Sequence, residues 1–269
     1  MKARIAIHSV PRSGSTWLGA IFDSHPNVKY AYQPLFSYAF KNYLNADATK
    51  QNILSFFQKL EESDDAFINQ DETKKAGIVP EFNKMAINAI AYKEVRYHHI
   101  LENALRVDSE LKVVGLIRNP MATIYSWYKA PKEFRPDLGW KLNDEWRFAP
   151  KKNDGKIEEF NGFEKWKEVA LLFQKLEQSF PEQCIIVTYD ELLNDPVSIS
   201  KMMFKFCGLE LHQQSIEFIA KSKQVQNGHR YSVFKKRKTD DDWQGELPDY
   251  IVKQIENELK GTSLETYID

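Results

Sequence analysis

A short turn rich in small hydroxyl residues follows the first apolar run of this chain and could hold a phosphate. Residues Ile5–Trp17 read Ile-Ala-Ile-His-Ser-Val-Pro-Arg-Ser-Gly-Ser-Thr-Trp. A strand, a glycine-containing loop and a helix start form an anion socket, because the loop amides and the positive helix end point at the anion. The hydroxyls of Ser13, Ser15 and Thr16 add donors, and Arg12 is the only cation of the loop. The loop lacks the Gly-Lys-Ser/Thr ending of Walker A, which favours a phosphate chemistry other than the ATP type.

A second candidate anion site follows the apolar run Leu111–Ile117. The run leads into Arg118-Asn119-Pro120, and Ser126 lies eight residues after Arg118. An arginine at a strand end can grip a phosphate through paired N–H donors, and a serine two helical turns further on can add a hydroxyl. Taken alone, the pair also fits a surface arginine and a polar helix position. Two strand-end anion sites together suit a nucleotide with phosphates at both ends.

Strands that alternate with helices must position these residues. Apolar runs predict strands at 4–8, 111–117 and 184–188, and helical patterns occur at 16–24, 51–61, 99–107, 163–176, 198–207 and from Pro120 onward. The run Ile90–Arg96 fits either a short strand or a helix. The alternation predicts an α/β fold with a central, mainly parallel sheet flanked by helices, whose ligands bind beyond the carboxyl ends of the strands. We expect one domain over residues 1–269, with an irregular excursion at about 129–160.

The composition narrows the classes of function. The chain has 269 residues, 42% of them hydrophobic, and a net charge of −1, which argues against a broad nucleic-acid footprint. Cys184 and Cys207 each lie in an apolar run, which is typical of reduced core residues. No Cys/His cluster has metal-ligand spacing. We find no signal peptide and no long apolar span, so we expect a cytoplasmic protein without a transmembrane segment.

The two motifs together resemble one known family. Residues Pro11–Leu18 resemble the 5′-phosphosulfate loop of the sulfotransferases that use 3′-phosphoadenosine-5′-phosphosulfate (PAPS), and Arg118-Asn119-Pro120 with Ser126 resembles their 3′-phosphate motif. The resemblance implies a P-loop-like three-layer fold, PAPS as donor, 3′-phosphoadenosine-5′-phosphate (PAP) as product and no metal. It also assigns site residues. Arg12, Ser13, Gly14, Ser15, Thr16 and Trp17 would contact the 5′-phosphosulfate side, and Arg118 with Ser126 the 3′-phosphate.

Two weaker matches to the same family lie downstream. Tyr189-Asp190-Glu191-Leu192 resembles a strand end of these enzymes that contributes to the nucleotide site. Lys236, Arg237 and Lys238, shortly before Trp243, resemble the basic loop that closes over the 3′-phosphate. A bare charge run of this kind also fits a solvated face.

The resemblance implies roles in sulfuryl transfer, in which an acceptor oxygen attacks in line and the leaving phosphate gains charge. Arg12 would stabilise the leaving group, and an arginine here tilts the chain towards carbohydrate-type members, since cytosolic members usually carry lysine. Many of those glycan enzymes place a glutamate base where this chain has the neutral Gln33, which could instead orient the acceptor. Lys93-Glu94 lies about where cytosolic members have Lys-Thr-His. Glu94 is therefore the leading candidate base, and Lys93 a second cation on the sulfate.

Other assignments for the base remain open. His98 and His99 have suitable intrinsic pKa values, but each also fits a packing or surface histidine. Glu94 equally fits a surface salt-bridge partner. His8 lies on the first strand and is read as structural.

The acceptor is expected under the excursion 129–160 and the segment after Gln33. Trp127, Tyr128, Trp140, Trp146 and Phe148 could stack on a sugar or a phenol, although aromatic residues are more often part of the core. A glycan, a glycolipid or a small hydroxylated metabolite would fit. The alternatives are a P-loop nucleotide kinase or NTPase, and a non-catalytic module that binds PAP or a sulfoglycan.

Overall fold

A five-stranded parallel sheet forms the centre of the computed structural model, which describes residues 2–229, 232–236 and 239–268. The strand order is β2-β3-β1-β4-β5, and each neighbouring pair is parallel. The strands are β1 (Ala3–Ser9), β2 (Val28–Tyr32), β3 (Ala89–Glu94), β4 (Leu111–Ile117) and β5 (Cys184–Thr188). Because β1 lies between β3 and β4, the segments that follow these three strands meet at one edge of the sheet.

Helices connect the strands. They are α1 (Ser15–Ser24), α2 (Lys50–Glu62), α3 (Asp71–Lys75), α4 (Leu101–Val107), α5 (Pro120–Tyr128), α6 (Leu142–Glu145), α7 (Pro150–Asn153), α8 (Phe163–Ser179), α9 (Tyr189–Asn194), α10 (Pro196–Phe206), α11 (Gln213–Gln224) and α12 (Asp249–Leu259). Short 3₁₀ turns lie at Pro34–Phe36, His98–Ile100, Pro136–Leu138 and Glu265–Tyr267.

The two faces of the sheet pack into two separate apolar cores. Ala6 and Val113 face a core that includes residues of α2, α4, α8 and α12. Ile5, Ile7 and Val114 face the opposite core, with residues of α1, α10 and α11. Alternate strand residues therefore enter different cores, as the twofold period of a strand requires. This arrangement confirms the predicted three-layer α/β fold with its parallel sheet.

Most predicted elements appear within a few residues of their expected bounds. The ambiguous run Ile90–Arg96 belongs to strand β3, which ends at Glu94. The predicted helix 99–107 begins as a 3₁₀ turn and becomes α-helical at Leu101. Strand β2 and helices α11 and α12 were not predicted. The excursion 129–160 is mostly irregular but contains the short helices α6 and α7.

The two cysteines are core residues. Cys184 and Cys207 are both buried and free. Burial raises the pKa of each thiol to about 12. In the part of the chain that the structure describes, no helix is both long and apolar enough to cross a membrane.

Candidate active site

A cavity of about 300 Å³ lies at the carboxyl ends of the central strands. Its lining combines residues that are far apart in the sequence. The first loop and α1 contribute Arg12, Gly14, Ser15, Thr16 and Trp17, and the segments after β4 and β5 contribute Arg118, Ser126 and Tyr189. Strands β2 and β3, the segments that follow them and the excursion contribute Tyr32, Gln33, Phe36, Phe67, Lys93, Val95, Arg96, Glu133 and Lys152. The structure thus brings both predicted anion motifs to one cavity.

The first loop is held tightly against the start of α9. Gly14 precedes α1 with a φ of 88°, a left-handed conformation that favours glycine. A Cβ built on Gly14 would lie 2.4 Å from Cε2 of Tyr189, so the close approach also requires glycine. The N–H groups of Trp17 and Leu18 donate to the carbonyl of Gly14, which leaves those of Ser15 and Thr16 as donors for an anion at this position.

Ser13 does not line the cavity, although the sequence predicted its hydroxyl as a contact. Its side chain is fully buried behind the loop, and its Oγ has no hydrogen-bond partner among the described residues. Ser15 and Thr16, by contrast, do line the cavity. Two of the three predicted hydroxyl donors of the loop, those of Ser15 and Thr16, therefore belong to residues that line the cavity.

Arg12 connects the two anion motifs directly. Its Nε donates to Oγ of Ser126 over 3.3 Å, and its Nη1 donates to Oε1 of Glu133 over 3.2 Å. Its backbone carbonyl accepts a hydrogen bond of 2.6 Å from Nη1 of Arg118. Arg12 therefore lies between the 3′-phosphate motif predicted from the sequence and a carboxylate that the sequence analysis did not consider.

Arg118 is buried and already grips a carboxylate. Its Nε and Nη2 donate to the two oxygens of Asp240, with an Nε–Oδ2 distance of 2.7 Å. Its guanidinium carbon lies 4.9 Å from the ring centre of Tyr189, which orients the plane of the group. A planar fork that binds one carboxylate can bind two oxygens of a phosphate in the same way.

Lys93 and Glu94 lie on opposite sides of β3. Lys93 and Val95 line the cavity, whereas Glu94 does not. The Oε1 atom of Glu94 instead accepts the backbone N–H of Leu35 over 2.8 Å, and its Oε2 has no partner among the described residues. The alternation of a strand explains this separation. The structure therefore places the leading candidate base behind the wall, next to the turn at 34–36.

Burial changes the pKa of both residues. Desolvation lowers the pKa of Lys93 below that of an ordinary lysine, opposed by the charge of Glu94. Desolvation likewise raises the pKa of Glu94, opposed by the charge of Lys93 and by the hydrogen bond from Leu35. Lys93 makes its aromatic contact on the cavity side, with Nζ 4.3 Å from the ring centre of Tyr32.

Gln33 sits at the bend where β2 ends. Its backbone N–H donates to the carbonyl of Lys93, and its φ is 43°. Its side-chain oxygen accepts a hydrogen bond of 3.1 Å from Arg96, which also pairs with Glu159 over 3.0 Å. Gln33 lines the cavity, so it is placed to contact a ligand there.

An aromatic wall, formed by Tyr32, Phe36 and Phe67, borders the same side of the cavity. The ring centres of Tyr32 and Phe67 lie 5.5 Å apart, and those of Phe36 and Phe67 lie 6.1 Å apart. Phe36 and Phe67 are 48% and 42% exposed, so both present apolar ring surface at the cavity.

Several other predicted site residues do not line the cavity. His98 is fully buried and lies against Phe160, with Nδ1 3.0 Å from Nδ1 of the buried His8. His99 is half-buried outside the lining. Of the predicted acceptor aromatics, Trp127, Tyr128 and Trp140 pack around Phe134, Trp146 stacks on Phe163, and Phe148 is exposed elsewhere. The aromatic wall comes from other segments.

Of the basic run before Trp243, a residue other than the predicted ones lines the cavity. Lys235 lines the cavity, whereas Lys236 is exposed and does not. Arg237 and Lys238 lie outside the described residues. Sequence reasoning also missed Tyr32, Arg96, Glu133 and Asp240. Tyr32 and Arg96 adjoin residues that were singled out, but no local signal marks Glu133 or Asp240.

Among the described residues, no group of three or more His, Cys, Asp or Glu side chains is placed to hold a metal ion. The chemistry of the lining is instead that of an anion site. Among the described residues that line the cavity, the only carboxylate is that of Glu133. Six cationic side chains line it besides Arg12, namely Lys93, Arg96, Arg118, Lys152, Lys223 and Lys235.

Comparison with known proteins identifies the family of this chain. The sulfotransferase domain family matches residues 2–262. A Caenorhabditis briggsae relative named "Putative protein-tyrosine sulfotransferase" is 24% identical over 223 residues, which cover 79% of this chain and 68% of that protein.

Solved structures share the fold at low sequence identity. A mouse sulfotransferase complexed with PAP has a TM-score of 0.59 at 13% identity, covering 100% of this chain and 88% of that one. A sulfotransferase from Alicyclobacillus acidocaldarius has a TM-score of 0.51 at 13% identity and covers 100% of both chains. The family match extends over nearly the whole chain and confirms the resemblance drawn from the two motifs. This chain belongs to the sulfotransferase domain family.

Proposed function

We propose that this protein transfers the sulfuryl group of PAPS to a hydroxyl on a ring-bearing acceptor, either a sugar or a phenol. One observation carries the proposal: a single cavity joins the anion loop and Arg118 on one side to the aromatic wall on the other. A donor with phosphates at both ends fits the first side, and an acceptor ring fits the second.

The donor side has the groups that a bisphosphorylated nucleotide needs. The amides at the start of α1, with Ser15 and Thr16, would hold the 5′-phosphosulfate, and Arg118 with Ser126 the 3′-phosphate. The bidentate pair between Arg118 and Asp240 supports this, because the guanidinium already donates to two oxygens of an anion. Crystals of the mouse relative contain PAP, in agreement with this choice of donor.

Arg12 acts on the bond that breaks. It lies between Ser126 and Glu133, where the two sides of the cavity meet. A permanently charged guanidinium stabilises the negative charge that grows on the leaving phosphate, and it cannot act as the proton donor at neutral pH. Lys93, which lines the same cavity, adds a second positive charge.

The acceptor side favours a flat ring. Tyr32, Phe36 and Phe67 offer ring faces and edges against which a sugar or a phenol can pack. Gln33 is placed beside them to orient a hydroxyl by hydrogen bonding.

Calorimetric titration with PAP, beside ATP with magnesium, tests the donor assignment. We expect metal-free binding of PAP that is weakened by Arg118→Ala and by Ser126→Ala. Arg106→Ala is the matched control, because Arg106 is an exposed arginine far from the cavity that pairs with Glu102. Preference for magnesium-ATP over PAP would overturn the proposal.

Turnover of PAPS with 2-naphthol and with N-acetylglucosamine tests the acceptor class. Release of PAP with one probe only would decide between phenol and sugar. Arg12→Ala should abolish release but retain much of the PAP affinity, because it acts at the transferring end. A wild-type protein that binds PAP and transfers nothing would be a binding module, contrary to the proposal.

A further inference from the structure

A hydroxyl acceptor must lose its proton, and the group that takes it must lie in the cavity. The three bases predicted from the sequence do not: Glu94, His98 and His99 all lie outside the lining. Val95 occupies the lining position two residues after Lys93. The proton acceptor therefore has to be sought among the residues that the cavity actually contains.

Glu133 is the only carboxylate among the described residues that line the cavity. Its Oε1 lies 3.2 Å from Nη1 of Arg12, the residue proposed to act on the leaving group. Because Arg12 must reach the transferring group, an attacking hydroxyl beside that group lies close to Glu133 as well. The side chain is 25% exposed, so a ligand in the cavity can contact it.

The chain around Glu133 holds it in this position. Its backbone N–H donates to the carbonyl of Ala130 over 2.9 Å. The next residue, Phe134, is fully buried with edge-on ring contacts to Trp127, Tyr128 and Trp140. The aromatic residues that the sequence suggested as an acceptor platform thus anchor the turn that carries Glu133. A base that packing already holds in place loses less conformational entropy when substrate binds than a mobile one does.

The groups that face Glu133 are mostly positive. Arg12 pairs with it, and Lys93 and Tyr32 are both close enough for its charge to raise their pKa values. Arg96 and Lys152 also line the cavity. Binding of an anionic donor competes for Arg12, which would release the carboxylate towards the acceptor side.

We propose that Glu133 is the general base of the transfer; this inference rests on the proposed function. The acceptor O–H proton passes to a carboxylate oxygen of Glu133. The acceptor oxygen forms a new S–O bond to the sulfuryl group, and the bond between sulfur and the 5′-phosphate oxygen breaks. The electron pair of that bond stays on the phosphate oxygen, beside Arg12. The step needs no oxidant, reductant or further reactant.

Turnover of PAPS by Glu133→Gln tests the inference, followed as PAP release with 2-naphthol, with N-acetylglucosamine and with water alone. We expect the rate to fall by about 10²-fold or more, while the PAP affinity stays within about twofold of wild type. Glu133→Asp should give an intermediate rate. In wild type and in Glu133→Asp, kcat/KM should rise as the pH is raised from acid values. In Glu133→Gln this rise should be absent.

Asp137→Asn is the matched control. It removes the carboxylate of another arginine pair in the same excursion, but Asp137 is exposed and lies outside the cavity lining. We expect its rate to equal that of wild type.

Two results would overturn the inference alone. One is a rate for Glu133→Gln within about threefold of wild type. The other is a loss of rate in Glu133→Gln that is matched by an equal loss of PAP affinity, while kcat/KM still rises from acid pH. That result would make Glu133 a positioning residue for Arg12. A wild-type protein that binds PAP but releases none from PAPS, even with water, would instead contradict the transferase function, and the base with it.

Discussion

Arg118 and Asp240 form a two-pronged ion pair between residues 122 positions apart in the chain. Their side chains are only 6% and 9% exposed, so the pair is shielded from solvent and its geometry is well defined. The third nitrogen of the guanidinium donates to the carbonyl of Arg12. A phosphate that binds Arg118 through the same fork must therefore displace Asp240.

Asp240→Asn should tighten PAP binding by about tenfold, which corresponds to about 1.4 kcal/mol. The reason is that the 3′-phosphate no longer competes with a charged carboxylate for Arg118. The ligand-free variant should also be less stable than wild type, because a buried guanidinium loses its ionic partner. Calorimetry with PAP and thermal unfolding measure the two effects. Asp241→Asn, which removes an exposed charge one residue further along, should change neither. Weaker PAP binding by Asp240→Asn would mean that Asp240 holds Arg118 in place for the phosphate.

Gly14→Ala should destabilise the fold more than Gly139→Ala. Both glycines have a left-handed backbone, with φ of 88° and 73°, and a non-glycine residue there costs about 1–3 kcal/mol. At Gly139 a Cβ would meet nothing within 4 Å, whereas at Gly14 it would collide with the Tyr189 ring. The difference in the free energy of unfolding between the two variants, measured in urea, isolates that collision. Equal losses would show that Tyr189 can move away freely.

PAP binding should weaken as the pH rises from neutral towards the pKa of an ordinary lysine. Burial lowers the pKa of Lys93, so its positive charge is lost at a lower pH than usual. The anion favours the charged form and raises this pKa again, so binding should take up protons above the lowered value. Calorimetry in two buffers of different ionisation enthalpy measures the uptake. Lys93→Met should bind more weakly at neutral pH and lose this part of the pH dependence; an unchanged profile would exclude Lys93 as the group responsible.

Glu94→Gln should keep its turnover within about threefold of wild type, unlike Glu133→Gln. A glutamine oxygen can still accept the N–H of Leu35, and burial already favours the uncharged carboxyl by raising its pKa. Glu94→Ala should destabilise the protein by about 1–3 kcal/mol, because a buried backbone donor loses its partner. Unfolding in urea and PAP release from PAPS give the two quantities. A loss of turnover near 10²-fold in Glu94→Gln would restore the role that the sequence suggested for it.

The local motifs were readable from the sequence because short segments determine them. A strand that runs into Arg12-Ser13-Gly14-Ser15 and then into a helix creates an anion socket through backbone geometry alone. The apolar run Leu111–Ile117 marked a buried strand, and its bounds agree with β4. Arg118 therefore had to lie at a strand end, and the parallel sheet brought it beside the first loop.

The orientation of single side chains was not readable in the same way. Lys93, Glu94 and Val95 are consecutive, and only the pairing of β3 between β1 and β2 decides which of them faces the cavity. The family resemblance marked Glu94 by its place in the chain and its carboxylate, whereas the strand alternation turns its side chain away from the cavity. Likewise, Ser13 belongs to the motif but its side chain points into the interior.

Long-range contacts were decided by the tertiary structure alone. Glu133 meets Arg12 across 121 positions of sequence, and Asp240 meets Arg118 across 122. Neither carboxylate lies in a periodic pattern or a motif, because its position depends on how an irregular segment packs over the sheet. Backbone propensities and motif spacing act over a few residues, so they determine the first loop. How distant segments pack over that loop depends on the whole chain, and this packing decides which charges line the cavity.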